Sequence, residues 1–317
     1  MNQSFQILAL DGGGIKGLFS AAVLAHIEDD LQIDITEFFD LIVGSSTGGI
    51  IALGLGLGLR PKQIVDFYAL RGPGIFRGLY GLRTIGHWFF RKFPQQPLCE
   101  ALQSPDVFGD KKLGDSKKPL VITSYDLGDD DVYLFKTPHH KRLTRDWRVP
   151  AWQVALATSA APTYFPPCRH VDNIRHIDGG LWANNPTLVG IAEAVSMFGV
   201  PLDQISVLNL GTSDQVVKRP KTLNWGGKAL WAKPAVDLVM RAQSIGVFTQ
   251  SIHLLGRDKL IRLDPKVPEG LFHLDKVNRA RELMAKAAYE SRGLMPHLEN
   301  QFLRHTARQY VPYYPNN

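Results

Sequence analysis

Phe39-Asp40-Leu41-Ile42-Val43-Gly44-Ser45-Ser46-Thr47-Gly48-Gly49 sets the terms for the rest of the chain. Leu41 to Val43 is a short apolar run that reads as a buried strand. Gly44 to Gly48 fits G-x-S-x-G with Ser46 at its centre, and Ile50-Ile51-Ala52-Leu53 behind it can begin a helix. Strand, tight turn and helix together are the setting of a nucleophile elbow. Such a turn strains the central serine and brings the flanking chains too close for side chains, hence glycine at Gly44 and Gly48. Ser46 would then face the free N–H groups of a helix N-terminus, which favour a developing negative charge. An ordinary glycine-rich βα turn gives the same five letters, so the pattern alone leaves both readings open.

Upstream, Phe5-Gln6-Ile7-Leu8-Ala9-Leu10 reads as a strand, followed by Asp11-Gly12-Gly13-Gly14-Ile15-Lys16-Gly17 and a helical pattern through Leu18, Ala22, Leu24 and Ile27. Gly12, Gly14 and Gly17 fit the dinucleotide fingerprint, with Asp34 near the place of a ribose-binding acid. The competing reading is an oxyanion hole, since glycine-loop amides hold an oxyanion as readily as a phosphate. The next strand favours the second: acyl transfer needs an elbow beside the loop, and a dinucleotide site does not.

The 317 residues suit one large α/β domain or two smaller ones with an ample core, and at 44% hydrophobic and 21% charged the composition is ordinary for a globular chain, so disorder is not expected. The net charge of +6 favours anionic partners without choosing among them. Two cysteines, Cys99 and Cys168, are no disulfide framework and fit a reducing cytosol. Met1 to Phe5 lacks a basic leader region, and the apolar run Gly48 to Leu59 is too short to span a bilayer. Membrane contact should therefore be peripheral.

Further along, residues 60–70 read as a helix with Pro61 in its first turn. Residues 71–93 combine Arg71, Arg77, Arg83, Arg91 and Lys92 with interleaved large apolar and aromatic side chains, among them Phe76, Tyr80, Trp88 and Phe93, and no acid. That mixture suits an interfacial surface or a lid, or else a buried connection. Pro119 to Tyr125 and Val132 to Phe135 read as strands about a turn at Gly128-Asp129-Asp130-Asp131, which lacks the register of a calcium loop. Pro150 to Ala157 reads as a helix. Ile174 to Ile177 reads as a short strand that runs into Asp178-Gly179-Gly180-Leu181, where the aspartate can reach into a cleft.

At this point a resemblance becomes specific. Asp11 to Gly17, Gly44 to Gly48, Ala157-Thr158-Ser159-Ala160-Ala161-Pro162-Thr163-Tyr164-Phe165 and Asp178 to Leu181 resemble the four signature blocks of the patatin-like phospholipases, in that family's order. Asn209-Leu210-Gly211-Thr212, after a strand from Ile205, looks similar too. The resemblance implies a three-layer α/β/α sandwich on a largely parallel sheet, with residues 1–212 as the catalytic core. Residues 213–317 would complete the sandwich and add a C-terminal helical extension. It implies lipid acyl hydrolysis with Ser46 as nucleophile, Asp178 as the acid of a dyad, and Gly12, Gly13 and Gly14 as the oxyanion hole. Lys16, Gly44, Gly48, Gly179 and Gly180 would support them.

An aspartate at its ordinary pKa is a poor base for a serine, and burial makes it usable. A Ser-His-Asp triad is the rival, with His253, His273, His297 and His305 following Asp178, and His176 two residues before it. No histidine–carboxylate group has metal-ligand spacing, and no cofactor is expected. Lys218, Arg219, Lys221, Trp225, Lys228, Trp231 and Lys233 suit a regulatory site for phosphates and bases. The overall form is similar to the antiphage effector phospholipases that a cyclic dinucleotide activates. The expected partners are a phospholipid membrane bound peripherally from the cytoplasm at the inner membrane, a cyclic dinucleotide and a second copy of the chain, but no nucleic acid polymer. A catalytically quiet nucleotide-sensing or membrane-binding protein and a dinucleotide oxidoreductase are the alternatives.

Overall fold

The computed structural model describes residues 4–75, 93–216, 221–268 and 280–314. Its strands are β1 (Phe5–Leu10), β2 (Leu41–Ser45), β3 (Leu120–Asp126), β4 (Asp131–Lys136), β5 (His176–Asp178), β6 (Ile205–Leu210), β7 (Asp214–Val216), β8 (Leu260–Leu263) and β9 (Lys266–Pro268). The α-helices are α1 (Gly17–Leu31), α2 (Thr47–Gly56), α3 (Pro61–Ile75), α4 (Gln96–Gln103), α5 (Ala151–Thr158), the single turn α6 (Gly180–Ala183), α7 (Thr187–Ser196), α8 (Lys228–Leu255) and α9 (Ala280–Gln301).

β1 lies inside the sheet, paired in parallel with β2 and β6, and all its residues are buried. A strand covered on both faces needs consecutive rather than alternating apolar residues. The side chains still divide by period two. Leu8 and Leu10 enter one core with α1, α2, α5 and α9, while Phe5, Ile7 and Ala9 enter another beneath α7 and the end of α8. Helices therefore cover both faces of a mostly parallel sheet in the order β4-β3-β2-β1-β6-β8, the expected three layers. β7 and β9 form a separate parallel pair.

One feature of the topology places the site. β4 occupies one side of β3 from Val121 to Asp126. The other side is shared: β2 runs parallel to it as far as Ser45 opposite Thr123, and β5 runs antiparallel from Ser124, which faces Asp178. β2 and β5 thus meet end to end in one lane. The residue after Ser45 and the last residue of β5 are forced together, although far apart in the chain.

Several elements differ from the sequence reading. α2 begins at Thr47 rather than at Ile50, and β5 includes Asp178 rather than ending before it. Asp34 is no ribose ligand: it caps a short 3-10 turn by accepting from the Thr36 N–H at 2.9 Å and pairs with Arg60. Of the segment 71–93, residues 76–92 lie outside the described residues, as do Lys218 and Arg219. Trp225 and Trp231 are exposed, and Cys99 and Cys168 are buried free thiols.

Candidate active site

Ser46 sits between β2 and α2 at φ 53° and ψ −124°, a conformation a non-glycine residue adopts only where its surroundings impose it. The imposing contacts are visible. A Cβ on Gly44 would overlap the Gly48 carbonyl, and one on Gly48 would overlap the Leu10 carbonyl. The Ser46 N–H donates to Thr158 Oγ1 at 2.9 Å, which ties the elbow to the end of α5. Serine at a helix start ordinarily caps it with its hydroxyl. Here the hydroxyl makes no cap and donates instead to Asp178 Oδ2 at 2.6 Å.

Asp178 is buried, and its Oδ1 accepts from the Gly180 N–H at 2.7 Å. Burial raises its pKa to about 6, against the opposing pull of the Ser46 and Gly180 hydrogen bonds. No cation enters that balance. A carboxylate in this state is a far better proton acceptor than one in water, yet it is ionised at neutral pH.

The glycine loop divides its labour in a way the sequence does not reveal. The Gly12 N–H donates to the Asn184 carbonyl at 2.9 Å, so it is committed and cannot serve an oxyanion as expected. Gly13 and Gly14 line the cavity beside Ser46. Among the described residues, neither gives its N–H to a protein acceptor. The Lys16 Nζ donates to the Ser213 carbonyl at 3.3 Å. Beneath the loop lies a buried network: Asp11 accepts from Asn209 Nδ2 at 2.7 Å and pairs with Arg262 at 2.8 Å. Burial outweighs the Arg262 charge and holds Asp11 at about 6. Gly179 lets β5 turn hard against Thr123, where a side chain would overlap the Thr123 hydroxyl.

The cavity above Ser46 encloses about 960 Å³, part of it open to solvent, and is mostly apolar. Ile50, Phe67, Ile75, Leu98, Phe165, Leu181 and Met240 line it with Ser46 and Asp178. Its walls suit an alkyl chain ending at the Ser46 hydroxyl. His176 does not belong to it. Its ring packs against Tyr133 and Phe135 at centroid distances of 4.7 and 5.1 Å, and burial lowers its pKa. Sequence reading missed Thr158 as the anchor of the elbow, Tyr68, whose hydroxyl bonds the Thr47 side chain, and Asn184. Of these, only Thr158 lay within a quoted block.

The patatin-like phospholipase model matches residues 8–191. Among curated proteins, the chain is 35% identical over 272 residues to a cGAMP-activated phospholipase of Pseudomonas aeruginosa, covering 84% of this chain and 80% of that one. It is 33% identical to the protein of the same name from Vibrio cholerae, covering 67% of this chain and 65% of that one. The chain thus spans a little under two thirds of the Vibrio protein. Among solved structures, VipD from Legionella pneumophila shares the fold, with a TM-score of 0.53 at 14% identity over 94% of this chain and 67% of that one. On these grounds the chain belongs to the patatin-like phospholipase family, whose phospholipases are carboxylic ester hydrolases.

Proposed function

We propose that this protein hydrolyses fatty-acyl esters of membrane glycerophospholipids with Ser46 as nucleophile and Asp178 as its base. The observation that carries the assignment is the 2.6 Å bond from the Ser46 hydroxyl to a buried carboxylate that has no cation beside it among the described residues. Ser46 Oγ attacks the ester carbonyl as its proton passes to Asp178. The carbonyl oxygen becomes an oxyanion and takes hydrogen bonds from the Gly13 and Gly14 amides, at the mouth of the α2 dipole. Collapse expels the alcohol, which recovers the proton from Asp178. The acyl group stays on Ser46 until water, deprotonated by Asp178, releases the fatty acid and restores the hydroxyl. The apolar cavity supports a lipid acyl chain over a small polar ester.

Among the described residues no helix is long and apolar enough to cross a membrane. In this reading the enzyme meets lipid from one side, as a peripheral protein. That its relatives in Pseudomonas aeruginosa and Vibrio cholerae are named cGAMP-activated phospholipases supports a cyclic dinucleotide, cGAMP, as activator of this chain too. The test is fatty-acid release from phospholipid vesicles by wild type and Ser46→Ala, with and without cGAMP. Wild type should release fatty acid, more so with cGAMP, and Ser46→Ala should release none. Wild type indistinguishable from Ser46→Ala in every arm would overturn the catalytic reading; equal rates with and without cGAMP would overturn the activation alone.

A further inference from the structure

We propose that Gln243 and Ser244 of α8 are positioning residues that hold the oxyanion loop through Asn184 and Asn185. The proposal rests on the catalytic assignment above. Gln243 clamps the main chain of Asn185 from both sides: its Oε1 accepts the Asn185 N–H at 3.1 Å and its Nε2 donates to the Asn185 carbonyl at 3.4 Å. Beside it, Asn184 Nδ2 donates to Ser244 Oγ at 3.0 Å. The Asn184 carbonyl, fixed by these two anchors, is the acceptor for the Gly12 N–H.

The next link is planar geometry. Thr212 Oγ1 donates to the Gly12 carbonyl at 3.2 Å. In a trans peptide unit that carbonyl and the Gly13 N–H lie in one plane and point in opposite directions. Turning the Gly12 carbonyl toward Thr212 therefore turns the Gly13 N–H the other way. Two successive peptide planes are pinned: the first by Asn184 through the Gly12 N–H, the second by Thr212 through the Gly12 carbonyl. A glycine loop has no side chains to hold its own conformation, so these outside contacts set its aim. The approach is close as well, since a Cβ on Gly12 would lie 2.6 Å from Asn184 Oδ1. The aim of the Gly13 amide thus depends on where α8 sits, and the same helix places Met240 in the cavity wall.

The experiment measures kcat and KM on a soluble short-chain ester, with thermal midpoints, for wild type, Gln243→Leu, Gln243→Glu, Ser244→Ala and Ile245→Gln. Ile245 is exposed on the outer side of the same helix and serves as control. Gln243→Leu should lower kcat about 10- to 100-fold with KM unchanged, because oxyanion contacts form only in the transition state. Gln243→Glu keeps the acceptor for the Asn185 N–H and should fall between it and wild type. Ser244→Ala, which loses only a hydroxyl, should lower kcat less, and Ile245→Gln should match wild type. The acid limb of the pH profile should stay in place in all of them, since Asp178 is untouched. Wild-type kcat in both Gln243→Leu and Ser244→Ala, or a loss carried by KM alone, would overturn the proposal. If Gln243→Leu does not fold, Ser244→Ala decides. A wild type no faster than Ser46→Ala, measured alongside both with and without cGAMP, would instead bring down the catalytic assignment on which the proposal stands.

Discussion

Asp178, at the end of β5, and Glu193, on α7, are both carboxylates taken out of water by the fold, and their protonation is pushed in opposite directions. Burial raises both. At Asp178 nothing positive among the described residues offsets it, and the group ends at about 6. At Glu193 the hydrogen bonds from His139 and Lys136, with the Lys136 charge, outweigh burial and lower the pKa. Lys136 Nζ lies 2.6 Å from one Glu193 oxygen and His139 Nε2 2.8 Å from the other. Burial holds His139 neutral, and the carboxylate can only accept, so Nε2 carries the proton. Glu193 is a strut between α7 and β4. Under the proposed assignment, what separates the carboxylate that acts as base from the structural one is that no cation stands beside it among the described residues, not the degree of burial.

The sign of each contribution to stability follows. Folded Asp178 holds its proton more tightly than the unfolded chain does. Its favourable contribution is present below about pH 4 and is lost as pH rises through about 6. Glu193 behaves in reverse: its contribution is present above the ordinary glutamate range and is lost as acid protonates it.

The largest expected effect is at the working carboxylate. Asp178→Asn keeps an acceptor for the Gly180 N–H but removes the base, so kcat should fall by about 10³-fold or more. The same change relieves a buried charge, and the thermal midpoint at pH 8 should not fall; a drop in both would mark Asp178 as a strut like Glu193. Glu193→Gln should show the opposite pattern: kcat on a soluble ester unchanged, and a loss of about 2–4 kcal/mol in urea unfolding, because Lys136 keeps a half-buried charge without its partner. A large fall in kcat there would erase the contrast. The smallest effect is expected from His176→Phe, which keeps a ring against Tyr133 and Phe135 and should leave both kcat and its pH dependence as they are. A shifted pH profile in that variant would revive the triad.

How much of this was legible in the sequence follows from the range of the interactions involved. β1 was read at its observed bounds, because a buried parallel strand announces itself as a continuous apolar run. The place of Ser46 at a helix N-terminus was legible, but the first turn of α2 gave no helical signal of its own, because Thr47-Gly48-Gly49 are poor helix formers and only close packing, of Gly48 against β1 and of Gly49 against Thr158 and Ile122, makes glycine necessary there. Ser46 and Asp178 were identified by pattern and resemblance, but their meeting depends on β2 and β5 sharing one side of β3. No local signal encodes that pairing. The loss of Gly12 as an oxyanion donor was equally hidden, since its N–H is taken by a carbonyl from another part of the chain. α8 carries apolar residues on its outer side as well as its inner one, so its hydrophobic pattern could not say which face turns inward.

The most direct measurement is the pH dependence of kcat/KM on a soluble ester. A buried carboxylate without a cation, acting as the base, should give one ionisation near pH 6, with activity falling tenfold per unit below it. The same break should be present in His176→Phe. Activity that stays level down to pH 4, or a break that disappears with a histidine, would contradict the assignment of Asp178 as the base for Ser46.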